Sequence, residues 1–370
     1  MRAKMLRRGC KPCARGARPR RRTLGLRRRV ARGNFLAQFG RAVTTDLFLA
    51  AAGVDPLVLA GAVPPGCLRG IDPAPIAARE GADTVLMLPT WTPRRPATHL
   101  LPSFAPLTEA PLAFRFEISA LVDGEWSAWT GSATIGAADF APLPAAAEPL
   151  ACDVDVFRAA RAVDAVRLRV RVRAAASTRW IVALSAADAA SPDLRLDAGP
   201  PARLDVPALS QMEADAVLGA RICSPTSVAM VLGYWGRAAS PVALAAEILH
   251  PALDIYGVWP AAVRAAAARG VAGYLLRFPD WGAVRWCLAR GIPIVASIRY
   301  AAGELTGAAI AATAGHLVVI LGLDGDTVLV NDPAAPTAAS VPRRYRAEEF
   351  SRVWLARAAV GYVLFDPNRL

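Results

Sequence analysis

The hydrophobic and polar positions divide this chain into a β-patterned half and a half in which helices precede strands. Residues 112–121 alternate, with Phe114, Phe116 and Ile118 on one face. Residues 166–173 alternate strictly between aliphatic residues and arginines, and Asp123-Gly124 is a hairpin turn signal between the two segments. Short alternating segments without helical periodicity predict an antiparallel β-sandwich over residues 46–192.

Two features of this β-patterned half are candidates for binding. The four arginines of residues 166–173 are expected to form a solvated outer face, with a surface for an acidic ligand as the alternative. Trp126 and Trp129 are three residues apart, so in a strand they point to opposite faces. One should then pack in the core, and the exposed one has stacking on a carbohydrate or cell-surface ligand as the alternative to packing.

The second half begins after a proline-rich segment, residues 193–207, which is expected to be a linker. From residue 208 to 370 the pattern predicts helices followed by an antiparallel sheet, an α+β domain. The expected helices span 225–235, 241–249, 260–269 and 280–290, and the expected strands span 293–300, 316–323, 327–330 and 360–365.

Charge is concentrated at the start of the chain. Residues 1–45 hold 15 lysines and arginines and no acid, whereas the whole chain carries a net charge of +13, so the remainder is close to neutral. This tail is expected to be disordered, and nucleic-acid binding would depend on it alone. No run reaches the length of a membrane span and no clear signal peptide is present, so the compartment, cytoplasmic or secreted, stays open.

The six cysteines are scattered and do not form a disulfide framework. Cys10 and Cys13 form a lone CxxC pair without a second pair or a nearby histidine, so no metal site is expected. Cys223 differs from the others because Ser224 is a suitable N-cap and Pro225 a suitable first residue for the helix that follows. A thiol just ahead of a helix N-terminus gains from the helix dipole and from backbone N–H groups, which favour a thiolate and can hold an oxyanion.

One of the chain's three histidines is well placed to act with this thiol. His316 opens a strand directly after Gly315, and a turn near residues 324–326 leads back to Asp332. A three-residue loop or a bulge in this hairpin would place His316 and Asp332 on the same face, whereas a two-residue turn alone would place them on opposite faces. Given the first geometry, Asp332 can orient His316 towards a thiol; plain turn chemistry is the other explanation for Asn331-Asp332-Pro333.

Residues 205–366 resemble the bacterial double-glycine leader peptidases, cysteine peptidase family thirty-nine, in three motifs. These are Cys223-Ser224-Pro225-Thr226-Ser227 with Met230, Gly315-His316-Leu317-Val318-Val319, and Asn331-Asp332-Pro333. The resemblance implies a papain-like fold with Cys223 as nucleophile, His316 as base and Asp332 as orienting acid. It also implies a glutamine oxyanion donor, for which Gln211 is the candidate, twelve residues before Cys223. Ser224 departs from the glycine that many relatives carry there.

The resulting hypothesis is thiol-dependent hydrolysis of an amide bond in a peptide or protein substrate, without a metal or organic cofactor. Two alternatives use the same scaffold. A catalytically silent papain-like module would bind a ligand together with the β domain, and an acyl transferase would use the same triad with an amine as acceptor. No P-loop sequence is present, which argues against the transporter-coupled version of the family.

Overall fold

The structure is a computed structural model, and it describes residues 45–73, 76–144, 148–174, 178–188 and 193–370. The basic tail over residues 1–44, with Cys10 and Cys13, lies outside the described residues. Two regions follow each other along the rest of the chain, and the first of them is built almost wholly from strands.

The N-terminal region contains one short helix, α1 (Pro56–Gly61), and twelve strands in the described residues. The strands are β1 (Thr45–Ala52), β2 (Leu68–Asp72), β3 (Ile76–Glu80), β4 (Asp83–Met87), β5 (Ala97–Pro106), β6 (Leu112–Val122), β7 (Glu125–Trp126), β8 (Thr130–Gly131), β9 (Leu150–Asp153), β10 (Val156–Val163), β11 (Ala165–Ala174) and β12 (Trp180–Ala187).

These strands form two six-stranded sheets. The first sheet has the order β2-β1-β12-β5-β10-β9, and the second has the order β3-β4-β11-β6-β7 with β8 also on β6. Neighbouring strands are antiparallel except for the parallel pair β1 and β2. Phe104 of the first sheet meets Phe114 of the second edge-on, with ring centroids 5.2 Å apart, so the two sheets share apolar contacts.

The C-terminal region alternates helices and strands. Its helices are α2 (Ala216–Gly219), α3 (Cys223–Tyr234), α4 (Pro241–Ile248), α5 (Trp259–Ala267), α6 (Trp281–Ala289) and α7 (Ala347–Val353). Its strands are β13 (Ala202–Arg203), β14 (Ala272–Arg277), β15 (Ile294–Tyr300), β16 (Thr313–Asp324), β17 (Thr327–Asn331), β18 (Pro342–Arg346) and β19 (Val360–Phe365). The α+β class expected for this region is confirmed, because one antiparallel sheet, β14-β19-β15-β16-β17-β18, packs with these helices.

The segment expected to be a linker, residues 193–207, contacts the C-terminal sheet in its second half. Ala202 and Arg203 form β13, which pairs with β16 opposite Leu323 and Gly322, and Leu204 and Val206 are buried. Close approach of β13 explains Gly322, because a Cβ there would meet the backbone oxygen of Ala202. Apolar and charged residues alternate from Ala202 to Val206, and Leu204 and Val206 pack in the hydrophobic core.

The central strands of the first sheet are buried on both faces. All eight residues of β12 are buried, and most of β1 and β5 are buried as well. One face contacts the second sheet, and on the other side β12 and β5 contact β14 of the C-terminal sheet. Two-sided burial requires continuous apolar runs rather than alternation, which is what Trp180 to Leu184 provides.

Hydroxyl groups of the first sheet satisfy the edge strand of the C-terminal sheet. Backbone N–H groups of Leu275 and Arg277 in β14 donate to Ser103 Oγ and Ser185 Oγ, each at 3.1 Å. Thr45 Oγ1 donates to the carbonyl of Arg277 at 2.8 Å. Because an exposed edge strand leaves its backbone groups unpaired, these bonds fix the two regions against each other.

The outer face of the second sheet differs from the solvated arginine face expected from the sequence. Glu117 is fully buried and accepts hydrogen bonds from the guanidinium groups of Arg115, Arg169 and Arg171. Burial raises the pKa of Glu117, but the hydrogen bonds from Arg115 and Arg171 outweigh it, so the pKa is lowered. Alternation along β11 was therefore predicted correctly, whereas the partners of its arginines lie on strands distant in sequence.

Trp126 and Trp129 cover this arginine face together. Trp126 stacks on Arg167 at 3.8 Å and Trp129 stacks on Arg169 at 4.2 Å. The expectation of opposite faces is wrong because β7 ends at Trp126, so the two-residue period does not continue to Trp129. None of the helices in the described part of the chain is long and apolar enough to cross a membrane.

Candidate active site

Cys223 is the first residue of α3 rather than the residue before it. Ile222 occupies the N-cap position without a side-chain hydrogen bond, and its carbonyl accepts from Thr226 N at 3.0 Å. The expected N-cap, Ser224, instead lies 3.1 Å from the hydroxyl of Tyr362. Pro225 still fits the first turn, where its missing N–H has no intrahelical partner to lose. The thiol therefore lies in the first turn, at the positive end of the helix dipole.

Helix α3 is fixed against the histidine strand. Ten of its residues, from Cys223 to Leu232, are buried, because the helix is apolar on most of its surface. Ser227 Oγ donates to the carbonyl of Leu317 at 3.1 Å, one residue after His316. This bond sets the height of α3 along β16 and brings the start of the helix beside His316.

The β16–β17 hairpin has a two-residue turn and a bulge, and the bulge decides the geometry. Asp324 pairs with Thr327 across Gly325, whose φ of +60° suits glycine. A register shift between Ile320 and Gly322 then adds one residue to β16. The extra residue places Asp332 on the same face as His316, as the sequence required of a bulged hairpin.

His316 and Asp332 form a buried hydrogen-bonded pair. Both side chains are fully buried, and Nε2 of His316 lies 2.7 Å from Oδ1 of Asp332. Asp332 also accepts from the hydroxyl of Tyr345 at 2.9 Å and from the backbone N–H of Ala334 at 3.0 Å. Burial raises the pKa of Asp332, but the charge and hydrogen bond of His316 and these two donors outweigh it and lower the pKa.

The Asp332 carboxylate determines which nitrogen of the His316 imidazole carries the proton. An ionised Asp332 can only accept, so Nε2 of His316 carries a hydrogen. Nδ1 is buried and has no nitrogen or oxygen partner among the described residues. The remaining side chain that acts on the ring through a hydrogen bond is Cys223. Nδ1 is therefore the ring nitrogen on the side of the Cys223 thiol.

The charge balance favours a protonated imidazole. Burial alone lowers the pKa of His316, but the charge and hydrogen bond of Asp332, together with the interaction with Cys223, raise the pKa to about 10. An interaction that stabilises the imidazolium beside Cys223 stabilises the thiolate equally, because coupling between two sites is reciprocal. Cys287 and Cys67 lack such a partner, and burial raises the pKa of both thiols.

Cys223 faces a small cleft of about 40 Å³. Its lining comes from the start of α3, the loop before α5, and strands β15 and β16: Arg221, Cys223, Ser224, Ile255, Tyr256, Gly257, Trp259, Ser297, Gly315 and Leu317. Arg221 stacks on Tyr256 at 5.0 Å and pairs with Asp254 at 2.8 Å, which holds that loop beside the thiol. The thiol is thus buried on the protein side and reachable from this cleft.

Gln211 lies outside the lining of the cleft. It begins a short 3-10 turn (Gln211–Glu213), its side chain is buried, and Nε2 donates to the carbonyl of Gly219 at 2.7 Å. Its backbone N–H donates to Pro333 O at 2.9 Å, beside Asp332. Oε1 has no hydrogen-bond partner among the described residues. Gln211 therefore connects the segment that leads to Cys223 with the end of β17.

Sequence reasoning missed two residues that support the pair. Tyr345 lies in β18, which was not predicted because Pro342 to Arg346 has no clear apolar alternation. Ser227 was seen only as part of a motif, although its hydroxyl fixes α3 on β16. The described residues contain no group of three or more His, Cys, Asp or Glu side chains that could hold a metal ion.

Comparison with known proteins gives one family match and several similar solved structures. Residues 203–362 match the model of the Peptidase_C39 like family. No curated protein matches the chain. Solved structures that are similar include a C39-like peptidase from Bacillus anthracis (19% identity, 45% of this chain, 98% of that chain, TM-score 0.33). Others are a double glycine motif protease from an AMS/PCAT transporter (18%, 44%, 94%, 0.29) and the peptidase domain of Streptococcus ComA (17%, 39%, 91%, 0.29).

These structural overlaps are low, so the assignment depends on the sequence match, which begins at β13 and ends within β19. That match covers under half of the chain, and over residues 203–362 the chain is similar to the Peptidase_C39 like family and so to cysteine peptidases.

Proposed function

We propose that the protein is a peptidase in which Cys223 is the nucleophile, His316 the general base and acid, and Asp332 the group that orients His316. One observation carries the proposal. A single buried imidazole lies between a carboxylate oxygen at 2.7 Å and a thiol that faces a cleft. The family match supports the same class of chemistry and a peptide or protein as substrate.

In the first half of the reaction, the thiolate of Cys223 attacks the carbonyl carbon of a peptide bond. A C–S bond forms and the carbonyl electron pair moves to oxygen. Nδ1–H of the His316 imidazolium then protonates the leaving nitrogen, the C–N bond breaks, and a thioester remains on Cys223. Asp332 keeps Nε2–H in place throughout, so the ring presents Nδ1 to both the sulfur and the leaving group.

In the second half, neutral His316 removes a proton from water through Nδ1, and the hydroxide oxygen attacks the thioester carbon. Breaking the C–S bond releases the carboxylic acid and the thiolate of Cys223, beside the imidazolium that already carries the proton taken from water. The backbone N–H of Cys223, in the first turn of α3, is proposed as one donor to the oxyanion. Gln211 is proposed as the second, and this role requires its side-chain amide to turn from the carbonyl of Gly219 towards the cleft, because Gln211 lies outside the cleft lining in the structure.

We also propose that the chain is organised in the units expected from its sequence. The two N-terminal sheets would form a β-sandwich over residues 46–192, with the peptidase unit over residues 208–370 behind it. Apolar contact between Phe104 and Phe114 supports this arrangement. Because the first sheet also packs on β14, the sandwich would act as a fixed part of the enzyme rather than as a tethered module.

Two alternatives use the same residues. In an acyl transferase, an amine rather than water would attack the thioester on Cys223. In a silent binding module, the pair His316–Asp332 would be retained only for structure. The raised pKa of the His316 imidazole beside a thiol favours the catalytic alternatives over the silent module. A purely structural His316–Asp332 pair does not require Cys223 as a neighbour.

The test is cleavage of a complex peptide mixture. The purified chain is incubated with peptides from a digested, denatured protein, and new termini are identified by mass spectrometry. We expect new termini with the wild type and with Cys287→Ala, and none with Cys223→Ala. Addition of glycinamide separates hydrolysis from acyl transfer, since transfer attaches the amine to the new carboxyl end. Cleavage that persists in Cys223→Ala would overturn the proposal.

A further inference from the structure

A second cavity opens beside the thiol cleft, where the two regions meet. Its volume is about 450 Å³. The first sheet contributes residues from β5, β9 and β10, and the C-terminal region contributes residues from α5, β14, β15, β16 and β19 and from the turn after α7. A cavity of this size accommodates one or two amino-acid residues, and boundaries between units are common places for ligand sites.

The cavity is rich in guanidinium groups from both regions. Arg158 comes from the first sheet, and Arg277, Arg299 and Arg357 come from the C-terminal region. Arg158 donates to Nε2 of His99 at 2.8 Å, so that nitrogen accepts and the ring is neutral. Burial, followed by Arg158, lowers the pKa of His99 to about 4, which agrees with a neutral ring.

The four guanidinium groups differ in how far they are accessible. Arg357 donates two hydrogen bonds to Glu304 at 2.6 Å, and Arg277 is buried and feels the charge of Asp188. Arg158 and Arg299 are exposed, one on each side of the boundary between the two regions. The planar guanidinium group matches a carboxylate in two parallel hydrogen bonds, so these two exposed groups suit a carboxylate that enters the cavity.

The cavity continues into the thiol cleft. Trp259, Ser297 and Gly315 line both, and Gly315 directly precedes His316. The backbone N–H of Trp259 donates to Oδ2 of Asp155 at 2.7 Å, which joins the start of α5 to the N-terminal region. A chain lying over Cys223 can therefore pass Trp259 and Gly315 and enter the arginine-lined cavity.

We propose that this cavity binds a carboxylate of the peptide whose scissile bond lies over Cys223, so that the N-terminal region helps to select the substrate. The inference rests on the proposed peptidase function. Two sources share this chemistry, the C-terminal carboxylate of a peptide and an acidic side chain. Either one would be held by guanidinium groups contributed from both regions, and neither region alone would supply the full set.

Matched alkylating peptides test the inference. Iodoacetyl-glycine peptides with one to four glycines are prepared with a free carboxylate or a terminal amide, and iodoacetyl-Gly-Glu-amide is compared with iodoacetyl-Gly-Gln-amide. The sulfur of Cys223 displaces iodide and forms a thioether, so the rate reports how well each tail is held. Rates at Cys223 are measured by mass spectrometry at low salt and are normalised to free N-acetylcysteine.

We expect one spacer length at which the carboxylate reagent reacts about tenfold faster than its amide partner, with the advantage reduced by added salt. Arg158→Gln and Arg299→Gln are expected to bring that ratio towards one. Arg344→Gln is the matched control, because Arg344 is exposed and pairs with Asp324 on the hairpin turn, and it should leave the ratio unchanged. The pair of reagents that shows the advantage tells a terminal carboxylate from an acidic side chain.

Equal rates for every pair, with fast reaction of plain iodoacetamide at Cys223, would overturn the inference and leave the peptidase proposal intact. Slow reaction of all reagents would count against the peptidase proposal instead. Binding to the cavity is then measured without the thiol, in Cys223→Ser protein, as the shift in unfolding temperature caused by N-acetyl-triglycine and by its amide. A larger shift with the carboxylate, reduced by Arg158→Gln, supports the site, and equal shifts overturn it.

Discussion

Two buried carboxylates in this molecule have opposite kinds of partner. Glu117 in the second sheet and Asp332 in the C-terminal sheet are both fully buried, and both have a lowered pKa. The partners of Glu117 are guanidinium groups, which keep their charge at every working pH. The partner of Asp332 is an imidazole, which can give up its proton. A fixed cation makes the first cluster structural, whereas an exchangeable proton makes the second suitable for catalysis.

The surroundings of the two carboxylate clusters differ as well. The guanidinium groups of Arg167 and Arg169 are stacked under Trp126 and Trp129. His316 lies between Asp332 and Cys223, and a cleft opens at Cys223. A lowered carboxylate pKa is therefore common to both clusters, and what distinguishes the proposed site is a titratable partner next to a thiol.

The largest expected effect separates the two clusters by activity. We expect His316→Gln to lower peptide cleavage by about 10³- to 10⁴-fold, since it removes the group that transfers the proton. Arg171→Gln is expected to leave cleavage within about threefold if the protein remains folded, because Arg171 contacts Glu117 and no part of the site. Initial rates on one identified peptide, with circular dichroism as the folding control, provide the measurement. Comparable losses in both variants would contradict the distinction.

Removing each carboxylate's charge should affect stability unequally. Glu117→Gln leaves three guanidinium groups around a neutral amide, and we expect a loss of about 3–5 kcal/mol in the free energy of unfolding. Asp332→Asn should cost less near pH 8, because His316 can release its proton and become neutral. Urea unfolding of both variants measures the difference. A larger loss for Asp332→Asn at that pH would mean that His316 remains charged without its partner.

The pH dependence of stability sharpens the same difference. The folded pKa of His316 is raised to about 10, above the ordinary 6.5, so its contribution is fully present below pH 6.5 and is lost as the pH rises through about 10. The stability gap between wild type and Asp332→Asn should therefore shrink between pH 6.5 and 10. The gap between wild type and Glu117→Gln should stay constant there, since arginine does not titrate in that window. Urea midpoints across this range decide it.

Gln211 tests the proposed oxyanion donor. Gln211→Ala is expected to lower kcat by about 10²-fold with little change in KM, because an oxyanion donor acts in the transition state. Gln211→Asn, which keeps an amide on a shorter side chain, should recover little of the rate. If Gln211 only positions the segment before Cys223 through Gly219, the variants would change the unfolding midpoint and KM together, and kcat would stay near wild type.

The smallest expected effect concerns the aromatic cover of the arginine face. Trp129→Ala removes the stacking on Arg169 and should cost about 1 kcal/mol in the free energy of unfolding. Peptide cleavage should be unaffected, because Trp129 has no contact with the thiol cleft. A loss of cleavage at unchanged stability would show that the second sheet takes part in catalysis.

Much of the C-terminal region could be predicted because its elements carry local signals. Proline near the first turn predicted α4 and α5 to within two residues, and apolar runs predicted β15 and β19. The start of α3 was predicted wrongly, since Ser224 has a buried partner, Tyr362, that lies 138 residues away. Local capping preference was outweighed by a tertiary hydrogen bond.

The sequence could not determine features that depend on distant pairing. Whether His316 and Asp332 lie on the same face of the hairpin depends on a bulge after Ile320. Apart from Gly322, the sequence carries no clear signal for that bulge. The partners of the β11 arginines lie about 50 to 90 residues earlier in the chain, so a paired network resembled a solvated face. The cavity between the two regions, lined by four arginines and Asp153, forms only when the regions pack together. A single sequence carries no signal for that packing.

The central claim is that Cys223 and His316 share one proton, and the pH profile of Cys223 alkylation tests it most directly. Labelling by iodoacetamide is followed by mass spectrometry at Cys223 and Cys287 from pH 5 to 9. An isolated thiol loses about tenfold in rate for each pH unit below about 8.5. We predict a nearly flat profile at Cys223 between pH 6.5 and 8.5, and the ordinary tenfold dependence in His316→Gln. A wild-type profile with that same tenfold dependence, or labelling of Cys223 no faster than Cys287, would contradict the account.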